Sequence, residues 1–361
     1  MLGVPAGAAE YSVLGEASIG TGVTYRALRE VGPVTVHVAE IAPGAPVRFE
    51  AVVSNDQVAT GLETTSSMCS RVGGIVCVNA DFKSCIGCAS PYGGIAHDGV
   101  PLRSPTPYHG QVSVGPQGWT TEPVQWTSRL TATYQVHVPE ADPVAALLGS
   151  PGQIRVDTRE LAIDGLNVDR PGDGLMLYTR SYSASTRTAP DGVEAIVSTD
   201  GPLALGTSRT LSLVELRPGG DAPIPANGFV LSGHGAAAEA LRSFWQEFTD
   251  KPAQARQATI AIDSNVAVEE SVGGHPVLLQ HGQVVPQDPS DPFITARHPR
   301  TLLGWNTAGT VWLVVVDGRR AGYSRGVTIA EATDLLLQLG ATDGINLDGG
   351  GSSTFVATGM C

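Results

Sequence analysis

The run Asp348-Gly349-Gly350-Gly351-Ser352-Ser353 sets a carboxylate, three residues without side chains and two hydroxyls in immediate succession. Glycine loses more backbone entropy on folding than other residues, so three together need a structural or a chemical reason. Successive glycine N–H groups can turn toward one point and form a concave anion site. Ser352 and Ser353 would add hydroxyl donors, and Asp348 a carboxylate at the rim. A tight turn with an N-capping serine is the plainer alternative. No lysine follows the glycines and the GxGxxG spacing is absent, so neither common nucleotide-phosphate loop is present.

A second constellation is His298-Pro299-Arg300-Thr301. Pro299 restricts His298 to extended backbone. Arg300 offers a planar donor fork suited to a phosphate diester or a carboxylate, unless it only pairs with a nearby surface aspartate. Asn79 and Asp81 end an apolar run; they could bind sugar hydroxyls, share acid–base work, or simply initiate a turn. Asp317 reads as a hairpin residue and is kept as a candidate carboxylate, whereas Glu331 reads as a helix cap. The histidines show no HExxH spacing, and no GxSxG elbow is present.

The elements that must position these groups are clearest near the end of the chain. Thr301–Trp305 and Thr310–Val316 read as strands around the turn Asn306-Thr307-Ala308-Gly309, and Asp317-Gly318 matches a hairpin turn signal. Thr328-Ile329-Ala330-Glu331 is a capping box, and Ile329, Ala332, Leu335, Leu336 and Leu339 follow at helical spacing until Gly340 closes the helix. Gly344–Leu347 then forms a strand leading into Asp348. The glycine run therefore falls at the carboxyl end of a central strand, where sheets containing parallel strands tend to hold ligands. Earlier, Val34–Val38 and Val47–Val52 alternate as short strands, Ile75–Asn79 reads as a buried strand, and Ala236–Phe248 as a helix.

With 44 Gly and 25 Pro among 361 residues, the chain is turn-rich and strand-rich. The expected fold is α+β: a β-rich mixed sheet packed with helices, plus an additional β-rich lobe. Residues 1–110 supply N-terminal strands and the first half of a core, 111–235 a β-rich lobe or insertion, and 236–361 the second half. A formal charge of −13 argues against a general nucleic-acid binder, and no apolar run is long enough to span a bilayer. The opening residues, MLGVPAGAAEYSV, lack the basic and apolar regions of a signal peptide, so Met1 reads as an engineered start or an already processed end. Cys69, Cys77, Cys85 and Cys88 cluster, and Cys361 ends the chain. Disulfides pinning a loop fit this pattern better than zinc, which wants two paired ligand sets, and they imply an exported, oxidising location, secreted or in the cell envelope.

Two stretches, HPRTLLGWNTAGTVWLVVVDGRR and GVTIAEATDLLLQLGATDGINLDGGGSSTFV, together resemble the phosphodiester glycosidase family. LNVDRPGDGLMLYTRSYSASTRT, SVGGHPVLLQHGQVV and the Asn79 strand with its GGIAHDG follow-on look like bacterial secreted members. The order HPRT, then DGR, then LDGGGSS is specific, whereas each piece alone is not. The resemblance implies hydrolysis of a sugar-1-phosphodiester, releasing the sugar and leaving a phosphomonoester. By position it puts Arg300, Asp348, Gly349, Gly350, Gly351, Ser352, Ser353 and Asn79 in the pocket, with His298 and Thr301 as further substrate contacts. The chain departs from the family at Asn79-Ala80-Asp81-Phe82-Lys83, where members commonly read Asn-Gly-Gly-Phe-Phe.

Glycoside cleavage passes through an oxocarbenium-like state and usually needs two carboxyl groups. A phosphodiester already leaves well, so neutralising charge on its oxygens matters more than protonating it. Arg300, the glycine amides and the serine hydroxyls are therefore assigned to phosphate stabilisation. Asp348 is the base or nucleophile, with Asp81 or Asp317 as partner. The chief rival is a non-catalytic envelope protein that holds anionic or phosphorylated glycans. A second is a metal-dependent hydrolase using Asp348 and Asp81 as oxygen ligands for a divalent cation such as Ca2+ or Mg2+; no other cofactor is implied.

Overall fold

The computed structural model describes residues 10–59, 61–83, 90–107, 109–137 and 154–358. The chain divides into two compact units, the first comprising Met1–Asp98, Pro105–Val124 and Val268–Cys361, the second Gly99–Ser104 and Gln125–Ala267.

The first unit is built on an eight-stranded sheet in the order Tyr11–Gly20, Val23–Glu30, Val34–Ile41, Val311–Val316, Arg300–Trp305, Asp343–Leu347, Val277–Gln280, Gln283–Val284. Every neighbouring pair is antiparallel. This sheet is therefore not mixed, because Arg300–Trp305 inserts between the two strands that the helix connects; the chain's other eight-stranded sheet does hold one parallel pair, Gly165–Leu166 with Leu175–Tyr178. One face carries Val36, Val38, Leu302, Val314 and Val316, and the helix Ile329–Leu339 packs Leu335 and Leu336 onto it. The other face carries Ala39, Leu313, Leu303, Ile345 and Leu347. Strands Glu270–Gly274 and Gly110–Gly115, from a smaller sheet, supply Val272 and Val112 to that same core. A short pair, Val76–Val78 with Phe355–Ala357, fastens the segment after the glycine run.

The second unit is an eight-stranded sheet ordered Ile154–Ile163, Trp126–His137, Arg256–Ser264, Thr207–Pro218, Val193–Thr199, Gly228–Gly233, Leu175–Tyr178, Gly165–Leu166. Its helix, Gly235–Asp250, buries Leu241, Phe244, Trp245 and Phe248. Strand far outweighs helix in both units, so the fold is β-dominated, and the α+β expectation holds only in that helices cover the sheets. Among the described residues, no helix is long and apolar enough to cross a membrane.

Two local expectations are corrected. Residues 47–53 form no strand, although Ala51 and Val53 are buried; their alternation reports one covered face and not a sheet partner. Asp317-Gly318 does not turn a hairpin: the chain leaves Val316 and runs through an irregular loop to Thr328. The Cys69–Cys77 disulfide joins the helix Thr65–Val72 to the strand Val76–Val78, which removes both from any zinc site. Cys85, Cys88 and Cys361 lie outside the described residues.

The Thr328 hydroxyl accepts from the Glu331 N–H at 3.2 Å, and the Glu331 carboxylate accepts from the Thr328 N–H at 2.9 Å. Thr328→Ala should therefore destabilise the chain by about 1 kcal/mol. A lower urea midpoint with an unchanged slope is expected; an unmoved midpoint would contradict the cap's role.

Candidate active site

Three strand ends meet around the glycine run. His37, Val315, Thr301 and Leu347 lie opposite one another across the first sheet, and Asp348 follows directly. Thr301, fully buried, donates its hydroxyl to Asn79 Oδ1 at 2.7 Å. The same oxygen accepts from the Thr354 N–H at 2.9 Å, while Asn79 Nδ2 donates to the Asp348 carbonyl at 2.6 Å. Asn79 and Thr301 therefore clamp the loop, and each already spends polar capacity on protein partners. Asp348 itself is fixed by its N–H, which donates to the Ala80 carbonyl at 2.7 Å.

The glycines serve the turn before they serve a ligand. A side chain at Gly349 would meet the Pro299 carbonyl at 2.6 Å, and Gly350 has φ +64. The Gly349 N–H donates to Asp348 Oδ1 at 2.8 Å and the Gly350 N–H to the Pro299 carbonyl at 2.9 Å. The expected cup of converging free amides is therefore not formed at these two positions. Gly351 is exposed with open space beside it, and the Ser353 hydroxyl is buried without a hydrogen-bond partner.

Two guanidiniums flank this turn. The Arg300 stem lies 3.7 Å from the Cβ position of Gly349, but its guanidinium runs to the Phe293 carbonyl at 2.6 Å, the Ala296 carbonyl at 3.2 Å and the Val327 carbonyl at 3.4 Å. It also lies over the Phe293 ring at 4.6 Å. Arg300 is 1% exposed, pairs with no carboxylate among the described residues, and is pushed down to about 10 by burial and by Arg319. No hydrogen bond engages its Nη1 among the described residues. The cation closest to the glycines is Arg319, whose Nη2 comes within 3.0 Å of the Gly350 Cβ position and donates to His298 Nδ1 at 3.1 Å. Arg319 holds φ +58, a backbone that non-glycine residues seldom adopt. His298 is fastened to Val327 through both its N–H and its carbonyl. Burial, then Arg300 and Arg319, lower its pKa below the usual 6.5.

The other carboxylates are committed elsewhere. Asp81 accepts from the Phe82 and Gly93 N–H groups at 2.7 and 2.6 Å, and His109 Nε2 lies 2.8 Å from its Oδ1. The Asp81 carboxylate is thus held by two backbone N–H groups and faces the His109 ring. His109, Phe82, Phe293 and His275 then close into one ring cluster, with centroids 5.7 to 6.2 Å apart, ending at Arg300 through Phe293. Partial burial and the neighbouring His109 lower the His275 pKa. Asp317 sits 3.3 Å from His37 Nε2, and this contact holds its carboxyl below the usual range; His37 Nδ1 in turn meets the Tyr25 hydroxyl at 2.8 Å.

Sequence reading missed Arg319, His109, His275 and Phe293. Signals existed for two: Arg319 ends the DGR motif, and His275-Pro276 repeats the dipeptide of His298-Pro299. Asp348, Asn79, Asp81 and Ser352 line a cavity of about 830 Å³ together with apolar side chains such as Phe49 and Trp119. In the two-aspartate metal reading, Asp81 would have to share oxygens that already accept from the Phe82 and Gly93 N–H groups and lie beside His109. Among the described residues, His97, Asp98 and Glu270 approach metal-ligand proximity. Glu270 there already accepts from the Ala51 and Asp98 N–H groups, and Asp98 pairs with Arg48.

The turn thus brings the Arg319 guanidinium, the Asp348 carboxylate and the Ser352 hydroxyl to one strand end. Residues 193–361, a little under half of the chain, match the model of the phosphodiester glycosidase family. Over 67 residues it is 39% identical to the N-acetylglucosamine-1-phosphodiester alpha-N-acetylglucosaminidase of Bos taurus and 37% identical to that of Homo sapiens. Those matches cover 19% of this chain and only 12% and 13% of the two relatives. In fold, the chain is similar to a protein of Burkholderia pseudomallei provisionally named as exported, with TM-score 0.70, 17% identity, and 99% and 94% of the two chains covered. It is also similar to a hypothetical protein of Synechocystis, with TM-score 0.64, 19% identity, and 93% and 58% covered.

Asn79→Ala would leave the Thr301 hydroxyl, the Thr354 N–H and the Asp348 carbonyl without their partner. A loss of about 3 kcal/mol is expected in denaturant unfolding; a loss below ~1 kcal/mol would show that the clamp is replaceable. Arg319→Ala removes a positive neighbour of His298, so its pKa should rise, read by NMR titration of the imidazole. In the unaltered chain the unfolded state takes up the His298 proton first. This contribution to stability is therefore complete above pH ~6.5 and is lost as pH falls below it. A His298 pKa unmoved by Arg319→Ala would break the assigned contact.

Proposed function

We propose that the chain hydrolyses a sugar-1-phosphodiester at the bond between the anomeric carbon and the bridging oxygen, releasing the sugar and a phosphomonoester. The family match over residues 193–361 supports a glycosidase-type enzyme, and the activity named for the bovine and human relatives supports this substrate class. The observation that carries the reading is Arg300, a guanidinium 1% exposed whose partners are carbonyls and a ring face. A buried charge without a counter-charge is costly, and a phosphodiester reaching Nη1 would supply one.

In this reading Arg319 and the Ser352 and Ser353 hydroxyls hold the phosphate oxygens where negative charge develops as the ester leaves. Asp348 takes the proton of a water attacking the anomeric carbon, or attacks that carbon itself to form a glycosyl ester that a water then cleaves, freeing the sugar and the carboxylate. In either case the carbon–oxygen bond to the phosphate breaks, with its electron pair staying on the phosphate. His298 accepts from Arg319 through Nδ1, so in its neutral form Nε2 carries the proton and can donate to the leaving oxygen. His109, oriented by Asp81, and the neighbouring His275 form a second imidazole group beside Phe293. The Cys69–Cys77 bridge and the exported name of the Burkholderia neighbour support a secreted or cell-envelope location.

The test is a panel of sugar-1-phosphodiesters with reducing-sugar detection. Asp348→Asn and Arg319→Ala should each lower kcat/KM by about 10²-fold or more while the protein stays folded. Turnover near that of the unaltered chain in both variants would refute the assignment. A chain that binds the diesters yet releases no sugar would instead be the glycan-binding envelope protein.

A further inference from the structure

The stretch Leu166–Thr188, LNVDRPGDGLMLYTRSYSASTRT, lies in the second unit and is not used by the site around Asp348. Together with Asp191 and His234 it encloses a cavity of about 250 Å³. Its walls are pinned from behind by two fully buried polar side chains. Asn167, at φ +53, donates Nδ2 to the Leu102 carbonyl and the Thr179 hydroxyl and accepts from the Thr179 N–H. Glu194 accepts from the Thr186 and Thr188 hydroxyls and from the Ala222 N–H. Between these anchors Arg187 is held at φ +53. Such a backbone persists in a non-glycine residue only where the surroundings impose it.

What the walls offer to the cavity is unpaired. Tyr182 is 6% exposed, lines the cavity, and its hydroxyl makes no hydrogen bond among the described residues. Asp169 and Arg187 are exposed and form no ion pair among the described residues, and both charges act on the Tyr182 hydroxyl. Arg170, Asp191 and His234 are already joined to one another. The groups left over are one acid, one guanidinium and one phenol, with no net charge. That set suits the adjacent hydroxyls of a sugar, which both donate and accept. It does not suit a phosphate, because the Asp169 charge would oppose it. The volume lies below the roughly 300–1,000 Å³ of sites for larger ligands, so it takes about one ring.

We propose that the second unit binds a single uncharged sugar ring in this cavity, with Asp169 accepting from ring hydroxyls and Arg187 and Tyr182 donating to them. The proposal stands on this cavity and does not require hydrolysis at Asp348.

The experiment is calorimetric titration of the full chain with methyl glycosides of glucose, galactose, mannose and N-acetylglucosamine, and with inorganic phosphate as a counter-probe. At least one glycoside should bind at millimolar concentration without competition from phosphate. Tyr182→Phe and Asp169→Asn should each weaken it about tenfold or more, whereas Arg319→Ala in the first unit should leave it unchanged. Asp169 is exposed, so Asp169→Asn decides the matter even where Tyr182→Phe disturbs folding. The proposal is overturned when no glycoside binds, when binding survives Asp169→Asn, when phosphate displaces the sugar, or when Arg319→Ala abolishes binding. A hydrolytically inactive chain that still passes these tests would sink the reading at Asp348 and leave this one standing.

Discussion

The Asn79 carboxamide joins Thr301, Asp348 and Thr354, which lie 222, 269 and 275 positions further along the chain. Its nitrogen donates once and its oxygen accepts twice, and a carboxylate or an apolar side chain could not do both. Because the clamp fixes where the strand Asp343–Leu347 ends, it also fixes where Gly349 and Gly350 begin their turn. Gly349 then rests against the Arg300 stem and Gly350 against the Arg319 guanidinium. The placement of both charges therefore depends on one neutral amide that touches neither.

The parts legible in the sequence were those encoded by neighbours a few residues apart. The capping box at Thr328, the left-handed Gly340 that ends its helix, and the strands around Asn306 all form. Sheet direction was not legible, for a specific reason. Val311–Val316 and Asp343–Leu347 are both antiparallel to Arg300–Trp305, and so run parallel to each other, joined by the helix Ile329–Leu339. The local pattern is a genuine strand–helix–strand crossover, but a strand from earlier in the chain occupies the gap. No periodicity within residues 311–347 carries that information.

The candidate site was half legible. Asp348 and Arg300 stand out in the sequence because a strand leading into glycines, and a proline-fixed arginine, are unusual locally. Asp81 and Asp317 were read as reactive acids because a sequence shows charge and not partners; in the fold they orient His109 and His37. Arg319 is visible in the sequence only as the last residue of the DGR motif, with no role attached to its side chain. Its role arises from a loop conformation, φ +58, that no residue preference announces.

The charge balance explains why the cations sit where they do. A chain at −13 repels an anion at long range, and physiological salt weakens that repulsion beyond about 8 Å. Affinity for a phosphate must then come from contacts shorter than that distance. Many of the guanidiniums are already matched, as Arg297 is to Glu331, Arg325 to Glu30 and Arg71 to Glu63. Arg300 and Arg319 have no acid among the described residues, and burial makes the Arg300 field less screened than any surface pair. A site of this kind depends little on the protein's overall charge, because its attraction acts only once the ligand has displaced the water around the turn.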